Sequence, residues 1–172
     1  MKLTRRILLR FFARAGLILG FGPIATDAVA RDRLDPAIRR TLASYLDTLI
    51  PDDEASPGAV KAGIDKRFAS MAEANPQFRK LIVAGCRWLD GEAEKAGARS
   101  FPGLDEDKRN AIIGRASRSA RRSVPRQFFD RTRRPAFVFY YGIASSWSAI
   151  GYAGPPQPAG FLDYAESPEQ RP

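Results

Sequence analysis

Apolar residues recur at three- and four-residue spacing through most of this chain, and that spacing limits its fold more than any other feature. The clearest stretch lies on one face of a third predicted helix and contains Phe78, Leu81, Ile82, Gly85, Leu89 and Ala93. No segment shows the two-residue alternation of a half-buried strand. We therefore predict an all-α domain, a compact bundle of four to six helices, with a long irregular C-terminal arm rich in proline, glycine and aromatic residues.

Two sequence signals predict where helices start. In Asp35-Pro36 and Asn75-Pro76, a side chain that can accept a hydrogen bond precedes a proline, as is typical of a helical first turn. Pro51 should end the first helix. A shorter second helix is predicted from apolar residues at helical spacing, namely Val60, Ile64, Phe68 and Met71.

Two more helices are predicted in the second half of the chain. The fourth should run from about residue 105 to 122, with acidic residues at its start and arginines at its end, as the helix dipole favours. Its core-facing residues should be Ile112, Ile113, Ala116 and Ala120. The fifth should extend over about 125–141, where Pro135 should kink or restart it. Only a short turn around Trp147 is expected afterwards.

The chain has no histidine and a single cysteine, Cys86. Serine–histidine and cysteine–histidine nucleophile pairs are therefore impossible within it. One thiol can build neither an internal disulfide nor a zinc or iron–sulfur site. We therefore predict a non-catalytic chain that has no catalytic, cofactor-binding or metal-binding residues of its own. Cys86 lies at the margin of the third helix's apolar face, where a buried, inert thiol is expected.

The first thirty residues have the three parts of an export signal. A basic segment comes first, an apolar glycine-rich segment over 15–25 follows, and Ala28-Val29-Ala30 forms a small-x-small cleavage pattern. Arg5 and Arg6, with the apolar residues after them and Arg10, fit the twin-arginine motif. An ordinary secretory signal and a retained anchor are the alternatives. The apolar stretch is much shorter than the roughly 20 residues of a spanning helix.

We therefore divide the chain into a twin-arginine signal peptide over 1–30, a helical domain over 31–146 and an extended C-terminal arm over 147–172. The signal predicts binding to the twin-arginine translocase and a periplasmic location. Because cargo of this route crosses the membrane already folded, a second protein without a signal can cross while bound to this chain.

The segment Arg115–Arg134 holds eight arginines and one acid, Asp130. Binding to nucleic acid is disfavoured by the predicted export. Binding to an acidic partner or to anionic lipid headgroups stays open, so a lipid- or envelope-binding module is one alternative function. A solvated helix end followed by a charged turn explains the same arginines without any ligand.

The acidic loop that begins at Asp52-Asp53-Glu54 suggests two further alternatives. It lacks the alternating ligand spacing of a calcium-binding loop, so a solvated connector is favoured. Asp47 with Asp52 or Asp53 could resemble the carboxylate pair of a glycosidase, which keeps a carboxylate-dependent periplasmic hydrolase as an alternative function.

The C-terminal arm is unusual because it spaces aromatic residues among glycines and prolines. Its aromatic residues are Trp147, Tyr152, Phe161 and Tyr164. Aromatic side chains on a stiff, extended segment can fill pockets at low entropic cost. The arm should therefore wrap its own domain or insert into a partner, with Gly151 and Gly154 allowing backbone conformations that other residues disfavour.

The chain resembles the gluconate 2-dehydrogenase subunit 3 family from about residue 34 to 164. The resemblance rests in the first half on Leu46-Asp47-Thr48-Leu49-Ile50-Pro51-Asp52-Asp53, Pro57-Gly58-Ala59 and Ala62-Gly63, and in the middle on Leu89-Asp90, Phe101 and Leu104. Its strongest part is Phe128-Phe129, Tyr140-Tyr141, Trp147, Ile150-Gly151-Tyr152 and Gly154-Pro155-Pro156.

The resemblance implies a small subunit of a membrane-associated FAD-dependent dehydrogenase that oxidises a sugar, sugar acid or alcohol. It implies a large FAD-carrying subunit and a cytochrome c subunit with haem c as partners, and a role for this chain in maturation and export of the flavoprotein. The arm is the expected partner-binding region, through Trp147, Gly151, Tyr152, Gly154, Pro155, Pro156, Gly160 and Phe161.

Overall fold

The computed structural model describes residues 33–154. Over this range the chain forms five α-helices and three short 3₁₀ helices, without a β-strand. The α-helices are α1 (Pro36–Leu49), α2 (Ile64–Ala74), α3 (Pro76–Lys95), α4 (Glu106–Arg118) and α5 (Val124–Tyr141); the 3₁₀ helices are Phe101–Gly103, Ala144–Ser146 and Ser148–Ile150. The predicted all-α class is confirmed. The proposed signal with Arg5 and Arg6, and the arm beyond Gly154, lie outside the described residues.

Local side chains set the predicted helix starts. The Asp35 carboxylate accepts a hydrogen bond from the Ala37 amide at 2.7 Å. The Asn75 side chain accepts two, from the Gln77 and Phe78 amides at 3.0 Å each. Each bond satisfies an amide that has no partner within its own helix. Both capping predictions are therefore confirmed.

The longest helix, α3, is central and packs against α1, α2 and α5, while α4 packs against α5. Where α3 crosses α5, Gly85 lies directly against the Phe128 ring. A Cβ at residue 85 would be only 2.1 Å from Phe128 Cδ2. The two helix backbones can approach this closely only because residue 85 has no side chain.

Polar pairs also join the helices inside the core. The hydroxyls of Tyr45 on α1 and Thr132 on α5 are hydrogen-bonded at 2.8 Å, and Thr132 also donates to the Phe128 carbonyl. Asp90 on α3 accepts hydrogen bonds from the Thr41 hydroxyl and from the Phe101 amide. These four polar groups are thereby satisfied, so they avoid the penalty of an unpaired buried donor or acceptor.

Two predicted helix boundaries need correction. Val60 precedes α2, which begins only at Ile64 after Gly63 adopts a φ of 72°. Helix α4 ends at Arg118 rather than near residue 122, because Ser119 is extended, and Ala120 is exposed instead of facing the core. Cys86 on α3 is fully buried, as the sequence predicted.

Pro135 neither breaks nor restarts the fifth helix, which continues through it from Val124 to Tyr141. A proline removes one backbone donor and crowds the preceding turn, so its presence costs stability that other contacts must offset. The buried residues on either side of it, Thr132 and Ala136, supply such packing.

None of the helices within residues 33–154 combines the length and the apolar character that a membrane-spanning segment requires.

Candidate partner-binding surface

The solvent side of α5 carries large apolar residues that the fold leaves uncovered. We call this face the outer strip; its members recur at spacings of three and four and are Val124, Gln127, Arg131, Arg134, Val138 and Tyr141. They lie opposite the buried residues of the same helix, Phe128, Thr132, Ala136 and Tyr140. Val138 is 62% exposed, Tyr141 46% and Val124 43%. Val138 and Tyr141 are one helical turn apart, so they form an exposed apolar patch at the C-terminal end of α5, and such patches can mark a surface that binds a partner.

Adjacent tyrosines at the end of α5 point in different directions. Tyr140 is buried, and its hydroxyl donates to the Pro57 carbonyl at 2.9 Å. Tyr141 is exposed and stacks on Phe137 with ring centroids 6.2 Å apart. One ring of this adjacent pair therefore faces the core, and the other faces solvent.

Residues 142–154, which we call the C-terminal turn, are tied to the end of α5. The Ser146 hydroxyl is buried within reach of the Tyr140 and Ile143 carbonyls at 2.7 and 2.8 Å. The Trp147 indole N–H donates to the Tyr141 carbonyl at 2.9 Å. The Trp147 bond gives a partner to the Tyr141 carbonyl at the helix end, where carbonyls lack partners within the helix. The predicted short turn around Trp147 is thus confirmed, and it closes against the helix that bears the outer strip.

Aromatic residues of the C-terminal turn form a small exposed cluster beside that helix end. The Trp147 and Tyr152 rings meet edge to face, with centroids 5.1 Å apart. Trp147 is half-buried, whereas Tyr152 is 43% and Ile150 55% exposed. The cluster continues the apolar surface beyond Tyr141.

Two glycines in the C-terminal turn have backbone conformations with a positive φ. Gly151 has a φ of 67° and Gly154 a φ of 110°, conformations that residues with a side chain rarely adopt. At Gly154 the backbone also lies against Trp147, since a Cβ there would be 3.6 Å from the indole Cζ3. The expectation that these two glycines permit unusual backbone conformations is confirmed.

The structure therefore brings together four of the partner-binding residues predicted from sequence: Trp147, Gly151, Tyr152 and Gly154. The other four, Pro155, Pro156, Gly160 and Phe161, lie outside the described residues. Sequence reasoning missed Val138 and Ile150 as exposed apolar residues. The exposure of Val138 could have been predicted from the sequence. Val138 follows Arg131 and Arg134 at helical spacing, so it lies on the same helix face as these charged residues and opposite Phe128 and Thr132.

Some arginines of the segment Arg115–Arg134 serve the fold. Arg115 binds the Glu92 carboxylate on α3 through Nε and Nη2 at 3.2 and 2.9 Å. Arg126 pairs with Asp130 and donates to the Ser117 carbonyl, which links the start of α5 to α4. Arg133 lies over the Phe129 and Phe137 rings.

The remaining arginines of this segment are exposed: Arg118, Arg121, Arg122, Arg131 and Arg134. Arg118 lies in the last turn of α4, where a positive charge complements the helix dipole. Arg131 and Arg134 form no ion pair with any residue that the structure describes. The arginine segment is therefore partly structural and partly available to a ligand.

A groove of about 380 Å³ runs beside the outer strip, between α5 and the junction of α2 with α3. Met71, Phe78 and Pro135 line it with apolar surface. Arg131 and Arg134 add positive charge, and Asp130, Asn75 and Gln77 add polar groups. The groove fits an apolar side chain that is accompanied by a carboxylate.

The carboxylates of the acidic loop accept hydrogen bonds from backbone amides of the loop and so stabilise its conformation. Asp47 accepts from the Val60 amide at 2.8 Å, and Asp52 accepts from the Gly58 amide at 3.0 Å and pairs with Lys61. Asp53 accepts from the Ala55 and Ser56 amides. All three carboxylates named for the hydrolase alternative thus have structural roles.

Those roles also explain the pKa values of these carboxyls. Burial raises the pKa of Asp47, although its bond to Val60 acts in the opposite direction. The hydrogen bonds from Lys61 and Gly58 lower the pKa of Asp52, and the bonds from Ser56 and Ala55 lower that of Asp53. A shallow pocket of about 240 Å³ does lie beside Asp47, lined also by Asp52, Glu106 and Arg109.

Cys86 is suited to neither redox chemistry nor metal binding. It is fully buried, and burial raises the pKa of its thiol, which keeps the sulfur protonated. Among residues 33–154 there is no cluster of three or more potential metal ligands.

A family model described as Gluconate 2-dehydrogenase subunit 3 matches residues 36–154. The matched range starts at the first residue of α1 and ends at Gly154, so it contains all five α-helices named above and the C-terminal turn. No curated protein and no solved structure matches the chain significantly.

Proposed function

The chain belongs to the gluconate 2-dehydrogenase subunit 3 family, and we propose that it is a small, non-catalytic subunit of a periplasmic, membrane-associated FAD-dependent dehydrogenase. Its partners in this proposal are a large flavoprotein subunit, which oxidises a sugar, sugar acid or alcohol, and a cytochrome c subunit. FAD and haem c belong to those partners. Membership of a family of accessory subunits supports the proposal, as does the absence of histidine from the whole sequence.

The observation that carries the proposal is the apolar surface formed by the outer strip and the C-terminal turn. Tyrosine, tryptophan and arginine are the residues that most often dominate binding energy at protein interfaces. Here Tyr141, Tyr152 and Trp147 adjoin a helix face with two arginines that form no ion pair with another described residue. Such arginines can make bidentate contacts to carboxylates of a partner. We propose that the flavoprotein binds here, with Pro155, Pro156, Gly160 and Phe161 extending the contact.

Export is the second part of the proposal. Arg5 and Arg6 would direct the folded chain to the twin-arginine translocase, and the bound flavoprotein would cross with it. Replacing both arginines with lysine keeps the charge but removes the paired motif. Both subunits should then stay in the cytoplasm, as judged by fractionation. Export of the flavoprotein in the presence of this variant alone would contradict the export role.

The first test is a mild-detergent pull-down of the tagged full-length chain from its native envelope, with the absorption spectrum and the partner masses recorded. We expect a flavin-containing subunit of dehydrogenase size. Recovery of the chain alone, colourless and monomeric, would contradict the proposed function.

A pair of variants locates the interface. Val138→Asp places a charge in the exposed apolar strip and should reduce recovery of the flavoprotein at least about tenfold, since a charge left unpaired in an interface is costly. Ala37→Asp is the matched control, because Ala37 is exposed in the first turn of α1 and is not part of the outer strip. Equal recovery with both variants would place the interface elsewhere.

The exposed arginines also support a second candidate function, binding to anionic lipid. Arg118, Arg121 and Arg122 form a basic group at the end of α4 and in the following turn. Binding of the purified chain to vesicles with anionic headgroups, lost at high salt and without any protein partner, would favour this function.

A further inference from the structure

The outer strip of α5 has no cover among residues 33–154, although it is both apolar and charged. Val138 and Tyr141 expose about half or more of their surface, and Arg131 and Arg134 lack ion-pair partners there. The groove lined by Met71, Phe78 and Pro135 opens beside the same two arginines. An occupant should therefore combine apolar side chains with carboxylates.

The chain itself supplies a segment of this chemistry. Residues 155–172 contain Phe161, Leu162 and Tyr164 together with three acids and one arginine, namely Asp163, Glu166, Glu169 and Arg171. Their net charge is negative, opposite to that of the outer strip. All three acids follow Phe161 within eight positions, so one short stretch can place an aromatic ring and carboxylates side by side.

The segment also starts at the correct end of the helix. Residue 155 follows Gly154, which lies against the Trp147 ring, and the Trp147 indole donates to the Tyr141 carbonyl. The segment therefore leaves the C-terminal turn beside Tyr141, the last residue of the strip.

Its length is sufficient to run back along α5. Arg134 and Tyr141 are seven positions apart, which is a rise of about 10 Å along the helix. The seven residues 155–161 span up to about 23 Å when extended. Phe161 can thus reach the groove beside Arg134 with chain to spare, and the acids after it can reach Arg131.

We propose that in the free subunit residues 155–172 lie along the outer strip of α5, with Phe161 in the groove and Asp163 and Glu166 against Arg131 and Arg134. The segment covers the surface until a partner binds there. Binding of the flavoprotein then replaces a contact within the chain by a contact between chains. The inference concerns the free chain, so it can hold or fail independently of the proposed function.

Disulfide trapping in the purified full-length chain tests this. Gln127→Cys with Ala165→Cys places one thiol on the strip and one in the segment, while the proposed charge pairs stay intact. Glu94→Cys with Ala165→Cys is the matched control, because Glu94 is exposed near the far end of α3, about 24 Å along the helix from the groove residue Phe78. Cys86 can stay in place because it is fully buried.

We expect the strip pair to form an intramolecular disulfide about tenfold faster than the control pair, independently of protein concentration. In the strip pair, Arg131→Glu with Arg134→Glu should remove this advantage, and adding Asp163→Lys with Glu166→Lys should restore it. Equal rates for the two pairs would overturn the proposal. Cross-links between chains would overturn it in favour of a second copy as the occupant.

Discussion

The acidic loop after α1 and the outer strip of α5 are both rich in charge, yet their charges are used in opposite ways. In the loop, Asp47, Asp52 and Asp53 each bind backbone amides of nearby residues. In the strip, Arg131 and Arg134 find no ion-pair partner among residues 33–154. The fold accounts for the carboxylates of the loop, whereas it leaves the two arginines of the strip exposed. A charge-rich motif therefore indicates function only after its hydrogen bonds have been assigned.

Tyr140 connects the two regions, since it lies on the strip's helix while its hydroxyl donates to Pro57 in the loop. A substitution on the buried side of α5 should therefore lower the stability of the loop. A substitution on the exposed side should change only the binding of a partner. The four predictions below test this separation.

The largest effect is expected from Gly85→Ala, which acts on the crossing that fixes α5 in place. The new Cβ would overlap the buried Phe128 ring, so one of the two helices must move. We expect a loss of about 3 kcal/mol in the free energy of unfolding, measured by urea denaturation. Gly91→Ala on the same helix is the control, because no atom lies within 4 Å of its Cβ position. That variant should gain about 0.5–1 kcal/mol. Similar values for both would show that the crossing tolerates a shift.

The next effect concerns the loop. Asp47→Ala leaves the Val60 amide without its acceptor and should cost about 1–3 kcal/mol in the free energy of unfolding. Asp47→Asn keeps an acceptor oxygen and should cost less. Flavoprotein recovery should be unchanged for either variant once it is folded. A loss of recovery with unchanged stability would instead assign Asp47 to the binding surface.

A smaller effect separates the adjacent tyrosines. Tyr140→Phe removes the hydrogen bond to Pro57 and should cost about 1 kcal/mol in the free energy of unfolding. Tyr141→Phe changes an exposed ring with no such bond and should stay within about 0.5 kcal/mol of the unmodified chain. Thermal denaturation of both variants measures the difference. A reversed order would mean that the inward and outward roles are exchanged.

The smallest effect is a dependence of stability on pH, because the groups involved are exposed. The pKa values of Asp52 and Asp53 are lowered in the folded chain from the ordinary 3.8. Their contribution is present above that pH and is lost as the pH falls through the lowered values. The raised pKa of Asp47 works in the opposite direction: its contribution is present at low pH and is lost as the pH rises.

Asp52→Asn with Asp53→Asn should therefore reduce the fall in Tm between about pH 5 and about pH 3. A fall as steep as that of the unmodified chain would show that other carboxyls control acid unfolding. Glu92 and Asp105, whose pKa values are also lowered, are the next groups to replace.

The sequence predicted the helices well where their limits depend on neighbouring residues. The starts at Asp35 and Asn75 follow from one side chain that caps amides two or three residues away. The end of α4 could not be predicted in this way. Ala120 continues the apolar spacing, but Ser119 turns extended to bring Arg126 of the next helix against Ser117, a contact that depends on tertiary packing.

The binding surface was predictable only in part, for a related reason. Trp147 and Tyr152 stood out because aromatic residues are unusual among prolines and glycines. Val138 did not stand out, since an apolar residue at helical spacing is as suited to a core as to a surface. Only the position of Phe128 and Thr132 against α1 and α3 shows which side of α5 stays open.

The edge-to-face contact of Trp147 with Tyr152 and the stacking of Phe137 with Tyr141 have a kinetic consequence. Ordering a flexible side chain in an interface costs about 0.5–1.5 kcal/mol, and these rings are already restrained before any partner arrives. Once residues 155–172 have left the strip, a partner would therefore meet a surface close to its bound shape. We expect no further rearrangement of α5 on association, so differences in affinity among surface variants should appear mainly as differences in dissociation rate.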